Sequence, residues 1–343
     1  MMPAALSDAF AFQGKACTEL GSPFMGQLCA LLSTRDWPDT PLRDRYFAWG
    51  GDIGPSAQSL PLRLADGLHA LVIDGDELAQ FYPPHSATDD ALWAAVHDAM
   101  IRNDAFLNDW VNSAPQTNEV RRSAALIAVG QTLAAKFDLP MRLSEQGASG
   151  GLNLMWDQFG ATLGGQYYGP NDANVQLAPE WSGPTPPVAT PLVIRRNGVD
   201  LNPLHPADPT DVLRLRAYLW PDQPERMART VAAIAGNAAT VTKADAIEWL
   251  AGQLDHRDGQ LHLIYHTIAW QYFPTDLQAR GTALIEAAGA DATPTSPLAW
   301  FSMEADGQSP GAAMILRIWP GDITVDLGRV DFHGRWINWN GWT

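Results

Sequence analysis

The segment Leu143-Ser144-Glu145-Gln146-Gly147-Ala148-Ser149-Gly150-Gly151-Leu152-Asn153-Leu154 closes a short apolar run with a glycine-rich turn and then opens a second apolar run. This is the pattern of a strand, a tight turn and a helix. Glycine permits such a turn and lets backbone approach closely, and a helix beginning there offers unpaired amides. Upstream, Leu126, Gly130, Leu133 and Phe137 recur at helical spacing until Leu139-Pro140 breaks the pattern. Asn118 is the expected N-cap of that helix, with Glu119 in its first turn.

Downstream, short apolar runs ending in Gly, Asn or Asp alternate with helical patterns, which is the texture of βαβ units. The spacing predicts strands at 141–146, 192–199, 239–242, 261–267, 298–303, 313–319 and 324–332. Pro320-Gly321-Asp322 is a turn signal between the last two. The expected fold is α/β and Rossmann-like, with a mostly parallel sheet and an antiparallel final hairpin. It spans 139–343, carries a Gly- and Pro-rich insertion at 157–191 that is either a binding loop or poorly ordered, and follows a helical N-terminal region, 1–138. In that region Leu92, Val96, Ala99, Phe106 and Trp110 fall on one helical face.

Three ligand-binding templates can be laid on the glycine loop. The dinucleotide fingerprint G-x-G-x-x-G is met only at Gly147, and the P-loop fails because no lysine follows. An acidic residue followed by G-x-G-x-G is met by Glu145, Gly147 and Gly151, with Ser149 at the middle position. Other strand ends carry polar groups as well: Asp200 after the second strand, Asp245-Ala246 after the third, and His266 with Trp270 and Tyr272 after the fourth. In open α/β sheets the carboxyl ends of the strands are where ligands bind. Asp200 lies about 50 residues after the loop where about 20 is usual, so the insertion has to absorb the difference.

These residues resemble the S-adenosylmethionine-dependent methyltransferases. The resemblance implies S-adenosylmethionine as cofactor, held by Glu145, Gly147, Ser149, Gly151, Asp200, Asp245 and Ala246. His266 is the candidate general base, with a structural histidine as the alternative. Asn118, Glu119, Trp270 and Tyr272 are the candidate substrate contacts, against capping and core packing. A second resemblance covers nearly the whole chain and is to an uncharacterised bacterial family known only as a domain of unknown function. It rests on Gln116-Thr117-Asn118-Glu119, the run 145–157, Trp220-Pro221-Asp222-Gln223, 266–274 and His333-Gly334-Arg335-Trp336. It brings no reaction, so a non-catalytic Rossmann-like ligand-binding protein stands beside the methyltransferase. A serine hydrolase is a third reading, because Gly147-Ala148-Ser149-Gly150-Gly151 satisfies G-x-S-x-G.

Composition narrows the partners. A chain of 343 residues with 46% apolar and 17% charged residues can bury a large core. Its net charge of −16 argues against nucleic acid, which needs clustered Lys and Arg. Arg121-Arg122 and Arg195-Arg196 read as solvated edges or salt bridges, and the fourteen tryptophans chiefly as core. Cys17 and Cys29 form no zinc or redox pair, and no metal is expected, since the histidines are scattered. With no signal-peptide pattern and no apolar run of membrane length, the expected setting is cytoplasmic, without a membrane partner. The expected partner is a small-molecule or protein substrate, with the oligomeric state open.

Overall fold

The structure, a computed structural model, describes residues 2–55 and 57–342. They fall into two compact units, one of residues up to 117 together with 209–228, the other of 118–208 and 229–343. The division therefore lies at 117/118 rather than at 138/139, because the helix expected to end the N-terminal region packs into the core of the second unit.

The first unit is helical: α1 (Ala4–Glu19), α2 (Pro23–Thr34), α3 (Pro41–Phe47), α4 (Leu60–Ile73), α5 (Asp89–Arg102) and α6 (Asp104–Trp110). After α7 (Ser123–Phe137), which belongs to the second unit, α8 (Pro209–Ala217) and the start of α9 (Pro224–Ala235) complete it. Leu92, Val96, Ala99 and Trp110 are buried as their spacing requires, whereas Phe106 is 37% exposed, off the apolar stripe. Asp222 has a structural task. Its carboxylate accepts the Ser22 hydroxyl at 2.5 Å and the Phe24 amide at 3.0 Å, and so fastens the first turn of α2 to the segment between α8 and α9.

In the second unit the expected strands form one nine-stranded sheet. Its β1 (Met141–Gln146) is followed by an insertion with β2 (Gly160–Leu163), β3 (Gln166–Tyr168), β4 (Gln176–Leu177) and β5 (Glu180–Ser182). Then come β6 (Val193–Asp200), β7 (Thr240–Lys243), β8 (Leu261–Thr267), β9 (Leu298–Glu304), β10 (Ala312–Trp319), β11 (Ile323–Val330) and β12 (Trp336–Trp339). The order is β5-β12-β11-β10-β9-β8-β1-β6-β7. From β9 to β7 every pairing is parallel, and β9, β10, β11 and β12 run antiparallel to one another. The parallel half has the doubly wound Rossmann order, with the chain leaving β1 on one side for β6 and returning on the other for β8. A topological switch point lies between β1 and β8.

All six residues of β1 and all seven of β8 are buried, as central parallel strands covered on both faces must be. Helix α7 packs on one face. On the other, Ile264 and Leu298 meet α10 (Ala246–Ala251) and α11 (Thr275–Ala290). The insertion is ordered, contrary to one of its two expected states: β2, β3 and β4 make a small second sheet, and β5 joins the edge of the main sheet beside β12. These short strands and β12 carry too few alternating residues to be read from sequence.

Helix α7 starts at Ser123, after a 3-10 turn at Val120–Arg122, and not at Asn118. Its Gly130 is forced by packing, since a Cβ there would lie 2.1 Å from Cη2 of the fully buried Trp156. Overpacking of this kind costs about 1–3 kcal/mol, against a helix-propensity gain of about 1 kcal/mol for Gly to Ala. Gly130→Ala is expected to lose up to about 2 kcal/mol of stability in chemical denaturation. A variant as stable as the parent would mean that Trp156 is free to shift.

Candidate functional site

The glycine loop makes three left-handed residues in five, Gly147 (φ +70°), Ser149 (φ +51°) and Gly151 (φ +69°). A side chain at Gly147 would put its Cβ 2.5 Å from Ala269 Cβ, and one at Gly151 would meet Val241 at 2.8 Å. The glycines thus let three strand ends close on one another. The loop amides are mostly consumed by the protein. Gly147 and Ala148 both donate to the Val199 carbonyl at 3.0 Å, Gly151 to Ala148 at 2.7 Å, Ser149 to Asp200 Oδ2 at 2.9 Å, and Leu152 to Asn118 Oδ1 at 3.0 Å. Between 147 and 152 the Gly150 amide alone has no partner among the described residues.

Two expectations change here. The loop runs into a 3-10 turn, Leu152–Gln158, and not an α-helix, so the glycine loop itself presents no α-helix N-terminus. Asn118 caps no helix either; its side chain holds the end of the glycine loop, while Glu119 Oε1 accepts the Arg121 amide. Asn153 Nδ2 donates to the Glu119 carbonyl, and Ser123 Oγ donates to Asn153 Oδ1 at 2.7 Å. Two of the motifs behind the family resemblance, 116–119 and 151–154, are therefore bonded to each other. Arg122 is no solvated edge: it is buried and donates to the carbonyls of Thr267 and Phe332 at 2.9 and 3.0 Å. Arg196, in contrast, pairs with Asp157 and Arg335 with Asp331, as salt bridges.

Beneath the loop, Glu145 is 2% exposed. Burial pushes its carboxyl well above the usual range; the Arg122 charge pulls the other way and the Asp200 charge adds to the rise. The neighbouring Tyr265 phenol is raised too, by burial and by the charges of Glu145 and Asp157. Its hydroxyl donates to the Asn153 carbonyl at 3.3 Å. A buried, hydrogen-bonded layer of Glu145, Tyr265 and Asn153 thus underlies the loop.

His266 is 1% exposed and both ring nitrogens are engaged. Nδ1 lies 2.7 Å from Glu304 Oε1, and Trp300 Nε1–H donates to Nε2 at 3.0 Å. Accepting the indole proton requires a lone pair on Nε2, so the imidazole proton is on Nδ1 and points at Glu304. The ring also stacks on Trp270, with centroids 4.8 Å apart. In this arrangement His266 has no nitrogen left to take a substrate proton. Glu304 is the organiser, accepting the amides of Ala269 and Trp270 at 3.1 Å and of Gln271 at 3.3 Å. Burial raises its carboxyl, but the hydrogen bond from His266 and the backbone amides outweigh that and hold it below the usual range. Glu304 was one residue past the expected strand. An acid at a strand's carboxyl end, the signal that marked Asp200, would have found it.

Trp270 is a core residue, packed on Phe273, Trp300 and Gly281, whereas Tyr272 is 60% exposed. Asp245 is the N-cap of α10: its Oδ1 accepts the amides of Ile247 and Glu248 at 2.9 and 3.0 Å. Asp245 Oδ1 also pairs with Arg280 at 3.8 Å, while Asp245 Oδ2 and the Ala246 amide make no hydrogen bond among the described residues. Ser149 Oγ is buried and unpartnered. Although Ser149 has the strained backbone of a nucleophile elbow, it lacks the exposed hydroxyl and the histidine that an elbow needs. A serine–histidine pair the sequence reading missed, Ser144 with His262 Nε2 at 2.8 Å, is sealed in mid-sheet, both residues at most 4% exposed. Burial and the Arg142 charge push that imidazole well below its usual value. No cluster of His, Cys, Asp and Glu suited to a metal occurs among the described residues. Among them, too, no helix is long and apolar enough to cross a membrane.

With that geometry in view, residues 7–339 match the model of a family described as an uncharacterized protein conserved in bacteria (DUF2332). The chain belongs to this family. Its match covers residues of both compact units. No curated protein matches the chain.

The raised Glu145 carboxyl makes stability depend on pH. Above the unfolded value of about 4.3 the unfolded chain gives up this proton while the folded chain keeps it. Stability from this group is therefore full at low pH, falls as pH rises from about 4.3 to the folded value, and is lowest beyond it. Glu145→Gln, neutral at every pH, is expected to match the parent in thermal midpoint near pH 4 and to gain on it as pH rises above that. Parallel profiles would show that the folded state holds Glu145 ionised.

Proposed function

We propose that the carboxyl edge of the sheet binds S-adenosylmethionine and that the chain is a methyltransferase acting on a small-molecule or protein substrate. The observation that carries this is the arrangement of the strand ends around the switch point. Asp200 and Asp245 close the adjacent strands β6 and β7, the glycine loop closes β1, and 268–271 closes β8. Two non-glycine residues on the lips of that point, Ser149 and the β-branched Ile268, are held at φ +51°. Such strain persists only where surrounding structure enforces it, and it gathers at ligand sites.

The residues present fit the adenosyl part of the ligand. Asp245 Oδ2 is a spare acceptor beside the spare Ala246 donor, the pair that an adenine edge with its amino group and ring nitrogen requires. Asp200 accepts the amides of Ser149 and Asn202 and so stands at the end of β6 beside the glycine loop, where a ribose would lie. The Gly150 amide is the donor the loop leaves over. When bound, the sulfonium supplies an already activated methyl group, so the chain's share of the work is to orient acceptor and donor. His266 then acts as a positioning residue, fixing through Glu304 the turn at 268–271. The saturation of its ring favours a second reading, a ligand-binding protein without transfer chemistry.

Thermal unfolding with S-adenosylmethionine, S-adenosylhomocysteine, NAD and NADP tests the pocket. At 100 times its dissociation constant a ligand adds about 2.7 kcal/mol, or roughly 5–10 °C for a domain of this size. A shift is expected with the two adenosyl ligands and is expected to vanish in Asp245→Asn. Asparagine keeps the cap but turns the spare acceptor into a donor, so the midpoint of the free variant should be unchanged. No shift in the parent chain would overturn the reading. If the shift is present, methyl-labelled S-adenosylmethionine incubated with a bacterial extract separates the two versions: label in a product supports transfer, and none supports binding alone.

A further inference from the structure

A cavity of about 400 Å³ lies in the second unit, away from the carboxyl edge, under the insertion. Its walls are Ile127 of α7, Trp156 and Phe159 of the segment after the glycine loop, and Pro170, Pro191 and Leu192. Leu192 immediately precedes β6, so the opening is at the amino end of that strand. The lining is apolar and aromatic, with the exposed apolar residues Val188 and Ile194 nearby in the chain.

One polar side chain in this wall is fixed and half used. Gln131 is 4% exposed, and its Oε1 accepts the Ala189 amide at 2.8 Å. That bond sets the orientation of the amide group, and Nε2 is left with no partner among the described residues. A donor set in a mostly apolar wall gains when a ligand accepts from it. Asp157 also lines the cavity: its Oδ2 pairs with Arg196 and accepts Gln158 Nε2 at 2.8 Å, while its buried Oδ1 has no partner among the described residues. The Asp157 carboxylate opposes an anionic ligand, and the Arg196 guanidinium paired with it opposes a cationic one. An uncharged, largely apolar ligand with one acceptor meets neither objection.

We infer that this cavity is a second binding site, for an uncharged, mostly apolar small molecule whose carbonyl oxygen accepts from Gln131 Nε2. The insertion is then the wall of a ligand site. The site is independent of S-adenosylmethionine, and its test needs none.

The probe is 4-phenyl-2-butanone, with butylbenzene as the partner lacking an acceptor, titrated into the full chain by saturation-transfer NMR. The ketone is expected to bind about tenfold more tightly than the hydrocarbon. Gln131→Leu is expected to erase that preference. Thr190→Trp, at an exposed position in the lining, closes the cavity without touching the core, and is expected to abolish transfer to both probes. Absence of saturation transfer to the ketone in the parent chain would overturn the inference. Equal ketone binding by the parent and Thr190→Trp would do so too, because the ketone would then sit elsewhere.

Discussion

Three near-contacts between backbone and small side chains hold the centre of the second unit. Gly147 lies against Ala269, Gly198 against Ala148, and Gly151 against Val241, each so close that a Cβ on the glycine would come within 2.5 to 2.8 Å of its neighbour. They tie the loop after β1 to the ends of β6, β7 and β8 at once. A larger residue at any of them would separate strand ends whose hydrogen bonds depend on that spacing: two loop amides share the Val199 carbonyl, and the Ile268 amide donates to Met303 at 2.8 Å. The left-handed conformations of Ser149 and Ile268 follow from the same closure, since neither residue would adopt φ +51° unaided. Glycine in this loop is thus a packing requirement first, and any ligand is fitted to a loop already closed.

That closure decides which chemistry remains. A phosphate-cradling loop keeps its amides free for the ligand, whereas here five of the six from 147 to 152 are spent on protein acceptors. An adenosyl ligand asks less of the loop and more of the neighbouring strand ends, where Asp200 and Asp245 stand. The saturation of His266 fits the same economy: a transfer driven by orientation can do without a base, and a histidine locked between Glu304 and Trp300 makes a stiff turn.

Much of the sheet was legible because central parallel strands are continuous apolar runs that end in turn residues. The bounds of β1 and β8 were read without error, and β6 and β7 to within one residue. The strands of the insertion and β12 were missed, being two to four residues long with no periodicity to speak of. The site was legible as a set of positions and much less as a set of roles. Asn118 followed the rule for a helix cap but sits where the Leu152 amide can reach it first, five residues before α7 begins. His266 looked like a base because a strand end usually faces solvent. The indole of Trp300 and the carboxylate of Glu304, both on β9, are tertiary neighbours that no local pattern announces.

Acids at strand ends have two uses that sequence alone does not separate. Asp200, Asp245 and Glu304 each accept two or more backbone amides of the turn that follows or adjoins their strand, which is reason enough for an acid there whether or not a ligand binds. What distinguishes a ligand-binding acid is capacity left over after capping. Glu304 has given one oxygen to His266, Ala269 and Trp270 and the other to Gln271, and it sits in a wall of tryptophan. Asp245 caps α10 and faces Arg280 with one oxygen and keeps the other beside an unused amide. By that measure the end of β7, and not the glycine loop that first drew attention to this fold, is where the sheet is best prepared to recognise a ligand.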